Sequence, residues 1–154
     1  MTNFERTKQW LIACGKEQTK ENLSVQVGCH LEEVMEFIDT LGIASNQEGQ
    51  VFPTPVQLTA ALETLNLLAT QLKDGVLRVE VLPEFREECL DALCDMEVTG
   101  NGVAYLAGFQ KDSADLEVLS ANERKLVDGK PVLKPNGKIG KPEGWVAPDL
   151  KPFV

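Results

Sequence analysis

Two pairs of carboxylates carry the spacing that chemistry needs. Glu33 and Glu36 stand three residues apart in Glu32-Glu33-Val34-Met35-Glu36, and Glu88 and Asp91 repeat that interval later in the chain. On a helix, residues three apart lie about 60° from each other around the axis, so each pair presents its oxygens to one side. A single such pair usually does no more than solvate its helix. Both pairs here border apolar faces, and helices that pack antiparallel would bring the four groups across one seam, as in metal sites inside helix bundles. Oxygen ligands without thiolate or imidazole suit Mg²⁺, with Mn²⁺ as the alternative, and disfavour zinc.

The elements that must position these groups are helical. Glu84 to Gly108 reads as one long helix with Phe85, Cys89, Ala92, Leu93, Met96, Val103 and Ala107 on a core face. Glu84, Glu88, Asp91 and Asp95 stack on a second face. Four like charges so placed repel, and the stripe runs on into Val98, Gly102 and Leu106, which predicts partial burial and a need for a cation, a proton or a partner. Phe4 to Cys14 reads as a first short helix stopped by Gly15. Ser24 to Leu41 reads as a second, capped by Ser24 and striped by Val27, Leu31, Val34, Ile38 and Leu41. On it Glu32 and Asp39 point toward solvent. Thr54, Pro55 and Gln57 form a capping box ahead of a third helix, Leu58 to Leu72, whose two heptads suit either an internal core or a subunit contact. Val76 to Leu82 carries no clear assignment, and Asp115 to Leu126 reads as a shorter helix.

From Asp128 the composition shifts to Gly, Pro and Lys, with a small hairpin expected around Pro135-Asn136-Gly137. The expected fold is therefore all-α, a bundle of four to five helices in one domain over residues 1–154, with residues 128–154 as an irregular tail that lies over the helices or stays mobile. Net charge is −9, which argues against direct nucleic-acid binding by the bulk surface. The charge is uneven: residues 1–125 hold 10 Lys and Arg against 21 Asp and Glu, while residues 126–154 hold 5 Lys against 3 acids. The tail is thus the one basic segment of an acidic chain.

Cys14, Cys29, Cys89 and Cys94 have neither CxxC nor zinc-knuckle spacing, and no signal peptide is apparent, so free thiols in a reducing cytoplasm are expected. Cys89 and Cys94 read as core packing. His30 is the single histidine, beside Phe37 at helical spacing, and reads as a border residue rather than a ligand. With neither a second histidine nor GxSxG, Ser/His/Asp catalysis has no support. No apolar run approaches the roughly 20 residues of a membrane span.

ExxE on one helix and ExxD on a later one resembles the all-α nucleoside triphosphate pyrophosphohydrolases, a superfamily that includes MazG-like proteins, dimeric dUTPases and phosphoribosyl-ATP pyrophosphohydrolase. Here Glu32 completes EExxE, and Asp95 to Ala104 with Gly108 is similar to the D…GxAxxxG continuation. Asn122 to Leu126, Asp128-Gly129-Lys130-Pro131, Gly137-Lys138, Lys141 and Pro148-Asp149-Leu150 are similar to the tail of phosphoribosyl-ATP pyrophosphohydrolase-like proteins. The 51 residues between Glu36 and Glu88 exceed the usual gap, and the third helix fills most of them.

The resemblance implies Mg²⁺-dependent hydrolysis between the α- and β-phosphates of a nucleotide, releasing a nucleoside monophosphate and pyrophosphate. It makes Glu33, Glu36, Glu88 and Asp91 the metal ligands, and it gives catalytic roles to Glu33 and Glu36, with Glu36 accepting a proton from water. Glu32 and Asp95 become outer groups, and Asn122, Lys125 and Lys141 contacts to phosphate or sugar. It also implies a homodimer or homotetramer without membrane or direct nucleic-acid partners. The rival expectation is a non-catalytic acidic helical protein that binds a basic partner or mimics nucleic acid.

Overall fold

A computed structural model describes residues 1–41, 53–133 and 139–154. The fold is all-α. Among the described residues five α-helices appear: α1 (Asn3–Ala13), α2 (Lys20–Asp39), α3 (Pro55–Lys73), α4 (Arg86–Leu106) and α5 (Lys111–Glu123). None is long and apolar enough to cross a membrane. The chain forms two compact units, one from Gln18 to Val81 and the other from Met1 to Glu17 together with Leu82 to Val154.

The first unit is a hairpin of α2 and α3. Its seam follows a four-three rhythm on both helices. Ser24, Gly28, Leu31, Met35 and Ile38 on α2, and Leu58, Leu62, Leu65, Ala69 and Leu72 on α3, are buried or half-buried at that spacing. Repeats of this period keep one stripe against the partner helix, as in a coiled coil. Ala69 and Leu72 are fully buried and Met35 nearly so. Gly28 is where the backbones come closest, since a Cβ there would lie 2.6 Å from the Ala69 carbonyl oxygen and 2.9 Å from Lys73 Cγ.

The expected starts and stops need two corrections here. α2 begins at Lys20, four residues before Ser24, because Thr19 caps it by accepting from the Asn22 amide at 3.1 Å. Ser24 is instead a buried residue of the helix. Its hydroxyl donates to the Lys20 carbonyl at 2.7 Å and accepts from the Val79 amide at 2.9 Å. That bond fixes the unassigned segment after α3 as an extended return along α2, flanked by the Lys20–Glu80 and Arg78–Glu21 ion pairs. The capping box at Thr54 and Gln57 forms as read from the sequence, with Pro55 at the first helical position.

In the second unit α1 packs on α5. Arg6 spans them, donating through Nε and Nη2 to the two Glu123 carboxylate oxygens at 3.0 and 2.8 Å. Asp128 and Gly129, both at positive φ, form the tight turn between two two-residue strands, Leu126–Val127 (β1) and Lys130–Pro131 (β2). Leu133 then bridges Ile139 in antiparallel fashion. The turn expected at Pro135-Asn136-Gly137 falls outside the described residues.

α4 departs most from expectation. Pro83–Phe85 is a 3₁₀ turn, and the α-helix starts only at Arg86. Phe85, Leu93, Met96 and Val103 are exposed, as are Glu84, Glu88, Asp91 and Asp95, so neither the core face nor partial burial of the acids is found. Within its unit α4 packs chiefly on the preceding 3₁₀ turn and α5, and Ala104 is its one buried residue. Cys94 is likewise exposed, although Cys14 is buried, and none of the four cysteines is in a disulfide.

Gly28 and Gly100 make a matched test. An alanine at Gly28 must displace the Ala69 carbonyl, an overpacking cost of about 1–3 kcal/mol that exceeds its helix-propensity gain of about 1 kcal/mol. Gly100 has open space around it, so Gly100→Ala collects that gain alone. Denaturant midpoints should fall for Gly28→Ala and hold or rise for Gly100→Ala; equal shifts in both would contradict the close crossing.

Candidate functional site

The seam positions determine what stands beside them. One residue past each seam position on α2 come Glu32, Glu36 and Asp39; one past each on α3 come Thr59, Glu63, Asn66 and Lys73. In an antiparallel hairpin these two rows share one side, and there all of them but Lys73 line a groove of about 330 Å³ with Met35 and Leu62 as its apolar floor. Its polar lining is Glu32, Glu36, Asp39, Glu63, Asn66 and Thr59. At one end Lys73 Nζ binds Glu32 Oε1 at 2.5 Å.

Glu36 and Glu32 therefore lie where chemistry is expected, and Asp39 does too, although the sequence places Glu32 and Asp39 toward solvent. The correction follows from the crossing at Gly28: it turns the Met35 stripe onto α3, so the next residue round, not Glu33, faces the groove. Glu33 is exposed and is not among the lining residues. Glu88, Asp91 and Asp95 stand on α4 in the other unit, each exposed.

Glu63 and Asn66 are residues that sequence reasoning missed. Their signal was present: they repeat the interval of three, each follows a seam leucine, and 26 residues separate Glu63 from Glu36 instead of the 51 that precede Glu88. By type the donors fit a hard divalent cation, since carboxylate, amide and hydroxyl oxygens are what Mg²⁺ and Mn²⁺ take. Among the described residues no three His, Cys, Asp or Glu side chains already converge as a ligand set. Holding an ion here therefore requires the long Glu side chains to rotate inward.

In the other unit the three residues assigned to substrate meet. Lys125 Nζ donates to Asn122 Oδ1 at 2.7 Å and lies 5.9 and 5.7 Å from the ring centres of Trp10 and Trp145. Lys141 sits 4.4 Å over the Trp145 ring. The chain's two tryptophans thus organise its basic end, a role the sequence reading left out. Trp145 Nε1 donates to the Ala121 carbonyl at 2.8 Å, and Gln110 N donates to the Phe153 carbonyl at 2.9 Å, so the tail lies over the helices. Beneath it burial pushes the Cys14 thiol up, an effect that the positive charges of Lys16 and Lys125 offset in part.

No family model, curated protein or solved structure matches the chain.

Trp145→Ala removes a hydrogen bond worth about 1 kcal/mol and two cation–π contacts of about 0.5–1 kcal/mol each. Limited proteolysis should then cut within residues 140–154 at least several-fold faster than in the wild type, while helical circular dichroism is retained. An unchanged cleavage rate would show that the indole does not hold the tail.

Proposed function

We propose that the protein is a Mg²⁺-dependent nucleotide pyrophosphohydrolase whose metal centre is the groove between α2 and α3. The observation that carries this reading is the groove's lining, four carboxylates with an amide and a hydroxyl over an apolar floor. Asp39, Glu63 and Glu36 would hold the ion, with Asn66 and Thr59 orienting water. The bound ion would neutralise phosphate oxygens and the departing pyrophosphate. Water attacks the α-phosphorus, the bond from that phosphorus to the α–β bridging oxygen breaks, and pyrophosphate departs. Glu36 accepts the water's proton, as a carboxylate placed beside the nucleophile does in general base catalysis.

Asn122, Lys125 and Lys141 are assigned to phosphate or sugar, supported by their clustering on Trp145. The homodimer or homotetramer and the cytoplasmic location that the resemblance implies belong to the same proposal. One observation favours the second reading, an acidic binding protein: Glu84, Glu87, Glu88, Asp91, Asp95 and Glu97 form an exposed acidic run.

Pyrophosphate release across a panel of nucleotides with Mg²⁺ separates the two. Turnover is expected for at least one nucleotide, and Glu63→Gln should lower kcat/KM by about a hundredfold, equivalent to roughly 2.7 kcal/mol of transition-state stabilisation. Wild-type rates in Glu63→Gln, with loss in Glu88→Gln and Asp91→Asn, would move the centre to α4. No turnover of any nucleotide would leave the acidic binding protein.

A further inference from the structure

The groove takes one side of the α2–α3 hairpin, and the opposite side follows from the same rhythm. One residue before each seam position on α2 come Leu23, Val27, His30, Val34 and Phe37; one before each on α3 come Gln57, Ala61, Thr64, Leu68 and Gln71. Neither row holds an Asp, Glu, Lys or Arg. Leu41, just past the C-cap Thr40, extends the α2 row to six positions spaced four, three, four, three and four. That is the spacing of a second coiled-coil seam on one helix. α3 does not cover it: Leu23, Val34, Phe37 and Leu41, with Leu68 beside them, are between 36% and 47% exposed. A contiguous uncharged face of this kind marks a protein contact.

We infer that this face pairs with the same face of a second copy, antiparallel and about a two-fold axis, so that two hairpins close into a four-helix bundle with a groove on each outer side. The row's spacing reads the same in both directions. An antiparallel copy centred between His30 and Val34 therefore sets Leu23 against the partner's Leu41, and Val27 against the partner's Phe37, small against large. Charge selects the same orientation. In the unit from Gln18 to Val81 the bases are Lys20, Lys73 and Arg78, all where α2 begins or α3 has ended, and from Glu33 to Leu72 the sequence has no Lys or Arg. A parallel copy would set the end carrying Glu33, Glu36, Asp39 and Glu63 beside its own image, whereas an antiparallel copy sets it beside the end that holds every base. The area suffices. A face about 30 Å long and two helix diameters wide covers on the order of 600 Å² per copy, so about 1,200 Å² for the pair, the lower bound of standard-size interfaces. The inference gives the proposed homodimer a surface and an orientation, and it stands apart from what the groove binds.

Sedimentation velocity of the full chain tests this by mass, with the wild type expected as a dimer at micromolar concentration. Phe37→Glu should run at half that mass with helical circular dichroism retained, and Val34→Glu takes its place if that variant loses helix. Leu67→Glu, a charge on a 59% exposed residue of α3 outside both rows, should stay dimeric. Orientation is read by mixing. Val27→Lys alone should be monomeric but recover a dimer with Phe37→Glu, because only an antiparallel pair sets Val27 against the partner's Phe37. Leu23→Lys mixed with Leu41→Glu repeats this at the ends of the row should Val27→Lys not fold. A monomeric wild type, or a dimer that ignores both Phe37→Glu and Val34→Glu, overturns the surface; mixtures that stay monomeric overturn the antiparallel pairing. Pyrophosphate release by a monomeric wild type would sink this inference and leave the proposed activity standing, and a dimer of the expected behaviour without turnover would do the reverse.

Discussion

The contact on which the site depends is the approach of α2 to α3 at Gly28. With a hydrogen where every other residue has a Cβ, Gly28 brings its helix against the Ala69 carbonyl. The four-three rhythm of both helices then leaves a single rotational setting that buries Met35, Ala69 and Leu72. Everything in the groove is set by that rotation. Glu32, Glu36 and Asp39 are lining residues because they follow seam positions, and Thr59, Glu63 and Asn66 are their counterparts on α3. A turn of one residue in either helix would replace this polar lining with a different set.

Much of this was legible beforehand. The Thr54-Pro55-Gln57 start and the stripe of α3 follow from capping and periodicity, which are local. The partner of Glu36 was not legible in the same way. The interval of three joins two acids on α4 and an acid to an amide, Glu63 and Asn66, on α3, and spacing along one helix cannot say which helix packs against α2. Asn66 is an amide three residues after Glu63, so α3 carries no acidic pair of the kind seen on α4. The pair Glu33 and Glu36 flanks Val34 of the sequence stripe, but in the structure Val34 is exposed, since α3 seats on Met35.

The second unit shows the converse. Lys125, Asn122 and Lys141 are recognisable as a basic group in sequence, but what assembles them is Trp10 from α1 and Trp145 from the tail, 135 residues apart in the chain. Long-range aromatic contacts leave no periodic trace. The exposed apolar residues of α4, among them Phe85, Leu93 and Met96, depart from expectation for a related reason: amphipathic spacing marks a face that wants cover but not what covers it.

Paramagnetic Mn²⁺ titrated into the labelled protein and followed in its amide NMR spectrum reads the groove most directly. If the α2–α3 groove holds the ion, the amides of Glu36, Asp39, Glu63 and Asn66 broaden at the lowest Mn²⁺ ratios, and Mg²⁺ in excess restores them. Sharp resonances for Glu63 and Asn66 at ratios where other acidic segments have already broadened would contradict a metal centre between these helices.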